Sequence, residues 1–422
     1  MRLGTLLDID VVAIHTDEEV ASLVEVTAPP APVDAARRPV VLVAVLDRSG
    51  SMSGSRLEQA QRALCDVVDR LAPTDVFGLV AFDDHVTVPV PAAPVTDKAA
   101  VKHAINRVHP GGSTDLGAGY LRGVQEARRV AGDNGATVLL LSDGHANHGL
   151  TDPEALGSIA GTSAATRVTT STIGMGLGYD ERLLAAVARA GRGNEHFAEE
   201  ADTAAALIAD ELGGLLSQTV QAASLLVRLA PSVKAVRLLN DTPAALTADG
   251  LMIELGGFYA DESRKLVLEF AIPGLAGLGL AQVAQLELRY VDVATLVEQV
   301  TTVPLHVNVV PGDQAAGRVP DATVRTEVAY QQVQATKRRA TERLSAGDAA
   351  SALRDLSDAR QTVAAAMAVA PPEAQADLLE EARVLDDLAR EAEHGSHERA
   401  AKTLSADASF KSRRRGRRRD EH

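Results

Sequence analysis

From Val40 to about Gln218 the chain alternates between consecutive apolar runs and segments whose apolar residues recur at helical spacing. "VVLVAVLD", "DVFGLVAFD", "ATVLLLSDG" and "VTTSTIGMG" read as strands buried on both faces. "LEQAQRALCDVVDRLA", "DKAAVKHAINRV", "GAGYLRGVQEARRVA", "DPEALGSIAG" and "DERLLAAVARAG" read as helices. Continuous apolar strands interleaved with helices predict a doubly wound, mainly parallel α/β sheet covered on both faces. Near residue 220 the texture changes. "ASLLVRLAP", "VKAVRLLN", "LMIELGG", "RKLVLEFAIP", "AQLELRYVDV" and "TTVPLHVNVV" are short strands at the spacing of a β-sandwich. Residues 1–30 hold two further strand-like segments, "TLLDIDVVAI" and "SLVEVTA", too short a piece to bury a core alone. They are expected to join the later strands, which makes the α/β unit an insertion in the sandwich. Three helical stretches follow from about residue 320, with "AGD" and "APPE" as stop and start signals. The expected organisation is 1–30 (sandwich strands), 38–218 (α/β domain), 219–312 (sandwich), 320–398 (helical bundle) and 399–422 (a basic, disordered tail).

Composition narrows the function classes. Hydrophobic residues are 46% of the chain and charged ones 23%, as in soluble globular proteins. Aromatic residues are only 3%, with no tryptophan, so platforms for stacking nucleic-acid bases are not expected. The net charge is −15, yet "KSRRRGRRR" (Lys411 to Arg419) carries seven positive charges, which leaves −22 on the remainder. Nucleic acid is therefore expected to contact nothing except this tail, which is otherwise solvated. The single cysteine, Cys65, lies on the apolar side of its helix and reads as a core residue. The opening "MRLGTLLDIDVVAIHTDEEV" has acidic residues where a signal peptide needs an unbroken apolar core, so none is expected, and no apolar run approaches the roughly 20 residues of a membrane span. The expected location is cytoplasmic.

The candidate chemistry lies where apolar strands end in oxygen-bearing residues. "VVLVAVLDRSGSMSG" closes on Asp47, with Ser49 and Ser51 at alternate positions in a glycine-containing turn. "HPGGSTDLGAGY" brings Ser113, Thr114 and Asp115 after a Gly-Gly pair. "LLLSDGHANHG" ends on Ser142 and Asp143. A parallel sheet gathers such loops at the carboxyl ends of its strands. Carboxylate and hydroxyl donors suit a hard cation, Mg²⁺ or Mn²⁺, with Ca²⁺ also admissible, rather than zinc. D-x-S-x-S alone reads equally as a helix start with capping side chains.

The order D47-x-S49-x-S51, then Thr114 in "GGSTDLGAG", then Asp143 in "LLLSDG" resembles the von Willebrand factor type A domain with its metal-ion-dependent adhesion site. The resemblance covers about residues 38–218. It implies that Asp47, Ser49, Ser51, Thr114 and Asp143 hold the metal directly or through water, and that a partner protein's Asp or Glu completes the coordination. The surrounding strands, including "GGFYADESRKLVLEF", are similar to the inter-α-trypsin-inhibitor heavy-chain arrangement and its bacterial relatives. The helical C-terminus is not part of that shared pattern. The implied role is a non-enzymatic intracellular adaptor or scaffold, with a MoxR-type AAA+ ATPase as a partner the resemblance suggests. The alternatives are a surface adhesin and a hydrolase that uses the metal to activate water, which needs a base such as Asp115 or His145.

Other polar residues carry blander expectations. Asp115 reads as the cap of the next helix, and His145 and His148 as solvated loop residues. Gly174, Gly176 and Gly178 form a tight strand–helix turn without phosphate-binding spacing. Asp83 and Asp84, adjacent at a strand end, are expected to point apart.

Overall fold

The computed structural model describes residues 1–31, 37–144, 146–199, 201–394 and 397–413. The N-terminal strands are β1 (Arg2–Leu7), β2 (Val11–Ala13) and β3 (Glu18–Thr27). The α/β unit runs through β4 (Val41–Asp47), α1 (Ser55–Arg70), β5 (Val76–Phe82), β6 (Val86–Pro94), α2 (Lys98–Asn106), α3 (Leu116–Val130), β7 (Ala136–Ser142), α4 (Pro153–Ala165), β8 (Val168–Met175), α5 (Glu181–Ala190), β9 (Arg192–Ala198) and α6 (Ala201–Leu216). Strands β10 (Gln218–Leu229), β11 (Ala235–Leu238), β12 (Ala244–Thr247), β13 (Gly250–Tyr259), β14 (Ser263–Ile272), β15 (Gly279–Asp292) and β16 (Glu298–Val310) follow. Helices α7 (Gly312–Ala315), α8 (Ala322–Ser345), α9 (Ala349–Met367), α10 (Pro372–His394) and α11 (His397–Arg413) end the described chain.

The α/β sheet has the order β6-β5-β4-β7-β8-β9, parallel throughout except for the antiparallel edge strand β6. All seven residues of β4 are buried because the sheet is covered twice. Leu42, Ala44 and Leu46 pack toward α1, α2 and α6, while Val41, Val43 and Val45 pack toward α3, α4 and α5. Helix α3 lies very close to the sheet. A Cβ at Gly119 would stand 2.4 Å from the Phe82 ring, and one at Gly123 would stand 2.2 Å from Val45 Cγ2, so only glycine permits this approach.

The remaining strands form two sheets, β1-β3-β14-β11 and β12-β13-β10-β15-β16-β2, that share one apolar core. Strand β3 pairs antiparallel with β14 along its whole length, from Glu18 opposite Ile272 to Thr27 opposite Ser263. The α/β unit is thus inserted between β3 and β10.

The helical region is larger than its apolar pattern implies. A fourth helix, α11, occupies residues that were expected to belong to a disordered tail from 399 onward. Ala400, Leu404 and Ala408 form one buried stripe along it, which is enough to seat a helix whose other faces are polar. Lys411, the first residue of the basic run, is ion-paired with Glu381 (2.7 Å) and Asp407 (2.9 Å). The rest of that run from 414 onward lies outside the described residues. Lys337, fully buried on α8, joins the same cluster through Glu381 and through Asp407 at 2.6 Å. Among the described residues no helix is long and apolar enough to cross a membrane.

Candidate metal centre

Asp47 is the last residue of β4 and is fully buried. Its Oδ1 accepts a hydrogen bond from the Ser49 backbone N–H (2.8 Å), and its Oδ2 accepts one from Ser142 Oγ at the end of β7 (2.6 Å). Ser49 Oγ and Ser51 Oγ lie 3.1 Å apart, and Ser51 Oγ donates to Asp143 Oδ1 at 2.7 Å. The serines therefore face each other and the carboxylates. Neither caps a helix: Gly54 stands at the start of α1, and Ser49, which precedes the short turn Gly50–Met52, makes no side-chain cap bond.

Thr114 arrives from the loop between α2 and α3 and is buried. Its backbone N–H donates to Asn147 Oδ1 (3.0 Å), and Asn147 N–H donates back to the Thr114 carbonyl (3.3 Å), which fixes this loop against the one after β7. Gly144 completes the arrangement. A Cβ there would lie 3.2 Å from Thr114 Oγ1, 3.5 Å from Ser51 Oγ and 3.9 Å from Asp47 Oδ2. Oxygens from two loops thus face one small space that glycine, on a third loop, leaves open. All the donors are hydroxyl or carboxylate oxygens, which fits a small hard cation.

The electrostatics point the same way. Burial pushes the Asp47 carboxyl above the usual carboxylate range, opposed by its bonds from Ser142 and Ser49, and the nearby Asp143 charge adds to the rise. A charged pair of buried carboxylates is costly unless a cation accompanies it. Arg56, on the first turn of α1, supplies one such charge: its Nη1 reaches Asp143 Oδ2 at 2.8 Å and the Ser51 carbonyl at 3.2 Å. The guanidinium lies over Gly176, whose φ of +70° and missing side chain leave room for it.

The structure brings Asp47, Ser49, Ser51, Thr114 and Asp143 to one end of the sheet. Three contributors lay outside the motif reading: Ser142, Asn147 and Arg56. Ser142 was visible as a polar residue closing an apolar strand. Nothing in the spacing marked the other two. Asp115 caps α3 by accepting from Ala118 N–H (2.9 Å), and His148 faces Asp115 at 3.4 Å rather than the oxygen cluster. His145 lies outside the described residues. Asp83 and Asp84 do not point apart, because β5 ends at Phe82 and the chain turns: with His85 they bring possible ligand atoms within 4.8 Å of one another. Asp83 already accepts from Arg48, His85 N–H and Gly112 N–H.

The family model of the von Willebrand factor type A domain matches residues 42–211. An uncharacterized protein of Synechocystis is 29% identical over 269 residues, 61% of this chain and 63% of that protein, so the match spans somewhat less than two thirds of the relative's length. Inter-alpha-trypsin inhibitor heavy chain H3 of Mus musculus is 30% identical over 126 residues, 28% of this chain and 14% of its own. The solved structure of a von Willebrand factor type A protein from Catenulispora acidiphila superposes with a TM-score of 0.74 at 18% identity, covering 96% of each chain. The helical C-terminus is therefore part of a shared fold, contrary to the expectation that it stands apart. With the family model, the parallel sheet and these neighbours in agreement, the chain carries a von Willebrand factor type A domain.

Proposed function

We propose that this protein is a metal-dependent protein-interaction module, an adaptor or scaffold that binds a partner's carboxylate at a metal-ion-dependent adhesion site. The observation that carries the reading is the space over Gly144, faced by Asp47 and Ser51 oxygens from the end of β4 and the loop after it, and by the Thr114 hydroxyl from the loop before α3. Asp47, Ser49, Ser51, Thr114 and Asp143 would hold the ion, Mg²⁺ or Mn²⁺, directly or through water. When bound, such an ion would supply a Lewis-acidic centre whose shell, made largely of neutral hydroxyls and water, leaves a position that an Asp or Glu from a partner can fill.

This chain's residues prepare that event. Ser142 and the Ser49 N–H orient Asp47. Ser51 orients Asp143, and the Asn147 side chain sets the height of the Thr114 loop. A hydrolase reading would require a base at the same place, and the engagement of Asp115 as a helix cap speaks against that residue. A cytoplasmic adaptor working with a MoxR-type AAA+ ATPase is the fuller form of the proposal.

The test is an affinity capture from source-cell lysate in Mg²⁺ and in EDTA, with wild type and Asp47→Ala. A protein retained only by wild type with metal supports ion-bridged binding. Partners indifferent to both changes would move the interaction to the sandwich, the helices or the tail.

A further inference from the structure

We propose that a basic cleft beside the metal loops is a second anchor for the same partner, and that this partner is an acidic peptide segment rather than a single exposed carboxylate. The inference rests on the proposed metal-bridged function and specifies what that site recognises. The cleft, about 290 Å³, opens between the Asp47–Ser49 loop, the start of β6 and the last turn of α2. Arg48, His103 and Arg107 supply its charged and titratable lining, and among the described residues no carboxylate lines it. In a chain of net charge −15 that is a local reversal of sign.

The cleft adjoins the loops that carry the metal centre. Arg48 directly follows Asp47, and its carbonyl accepts from Gly111 N–H at 2.7 Å. Gly112 of the same loop accepts from Gly50 N–H at 3.0 Å. A chain whose carboxylate enters over Gly144 can therefore run along one loop into the cleft. The donors there are available. Arg107 and His103 are exposed and have no side-chain partner among the described residues. Arg48 Nη2 binds Asp83 Oδ1 (3.0 Å), but its Nε is buried with no hydrogen-bond partner. A buried guanidinium N–H without an acceptor is costly, so the Arg48 side chain would gain by shifting to meet an incoming carboxylate. Asp83 does not compete for the cleft, since it also accepts from His85 N–H (2.8 Å) and Gly112 N–H (3.1 Å).

The experiment measures fluorescence anisotropy of two labelled peptides with the full chain at physiological ionic strength. One peptide is octaglutamate; the other is a Gly/Ser octamer with a single Glu. In Mg²⁺, wild type is expected to hold octaglutamate about tenfold more tightly than the single-Glu peptide, the scale of one or two added charge pairs. The exposed double variant Arg107→Ala/His103→Ala is expected to lose that gain and keep its single-Glu affinity, and Arg107→Glu to lose more. All chains keep the C-terminal arginines, so any attraction those exert cancels between wild type and variants, and it is that comparison which assigns the gain to the cleft. Octaglutamate binding unchanged in the variants, or equal affinity of the two peptides, overturns the proposal. If octaglutamate binds equally in Mg²⁺, in EDTA and with Asp47→Ala, yet weakens in the cleft variants, the cleft stands and the metal reading falls. Failure of both peptides to bind wild type overturns both.

Discussion

Replacing Gly144 with alanine places a methyl group in the space that the metal reading reserves for the ion. Gly144 does not have a positive φ, so the backbone accepts alanine. The new Cβ would meet Thr114 Oγ1 at 3.2 Å, Ser51 Oγ at 3.5 Å and Asp47 Oδ2 at 3.9 Å. Only the first of these contacts is tight, and Thr114 must yield by a few tenths of an ångström. Without metal the cost is therefore expected at the low end of overpacking, about 1 kcal/mol. With metal the effect is larger. An ion at 100 times its dissociation constant stabilises the folded chain by about 2.7 kcal/mol, which for a unit of this size raises Tm by roughly 5–10 °C. The methyl group excludes the ion and removes most of that rise. Differential scanning calorimetry of wild type and Gly144→Ala, each in EDTA and in saturating Mg²⁺ or Mn²⁺, gives the four numbers required. Similar EDTA melting points with an ion-dependent shift only in wild type are the expected outcome. A variant that keeps the full shift would refute the placement of the ion over Gly144.

Arg56→Gln removes the cation that neutralises Asp143, so Mn²⁺ affinity measured by isothermal titration is expected to rise about five- to tenfold, the half-exposed guanidinium tempering a larger Coulomb gain; weaker binding would make Arg56 a support for Asp143 instead. Burial pushes the Asp75 carboxyl up, but hydrogen bonds from Arg37, Val40 N–H and Ala72 N–H outweigh it and hold the group below the usual range. Its stabilisation is thus present above the unfolded pKa and lost as pH falls through the lowered folded value. Asp75→Asn should cost about 1–3 kcal/mol in urea melts at pH 7, and the deficit should shrink in strong acid. Glu381→Gln leaves Lys337 and Lys411 facing Asp407 alone, with an expected loss of about 3–5 kcal/mol by denaturant unfolding. The double replacement Lys337→Met/Glu381→Leu should cost less than that single change.

The oxygen cluster was legible because Asp47 and Asp143 close apolar runs, which cannot hide a carboxylate; Thr114, in the loop between two helices, was marked by the resemblance alone. What escaped the sequence is explained by particular residues. Strand β6, "VTVPVPAAP", contains three prolines that argue against a strand, yet it is an edge strand, where a missing N–H is tolerated. Strand β9, "RGNEHFA", lacks an apolar run because Asn194 and His196 are satisfied by Glu211 of α6, a partner 15 to 17 positions away. Helix α11 is polar over most of its surface and is held by pairs such as Lys402 with Glu181 (3.0 Å) and with the Tyr179 carbonyl (2.6 Å). Arg56 looks like any first-turn arginine until Gly176 leaves it a seat.

The pairing of β3 with β14 has a consequence for how the chain is made. Thr27 and Ser263 are hydrogen-bonded neighbours 236 positions apart, so the N-terminal strands leave the ribosome long before their partner exists. The inserted α/β unit lies between them, and its entry and exit are close in space: Val41 and Leu216 line one cavity. Once that unit folds, the open chain left to close between β3 and β14 shortens about fourfold, which lowers the closure entropy by about 1 kcal/mol. Vectorial synthesis therefore favours an order in which the α/β unit folds first and acts as a clasp, and the sandwich around it zips last.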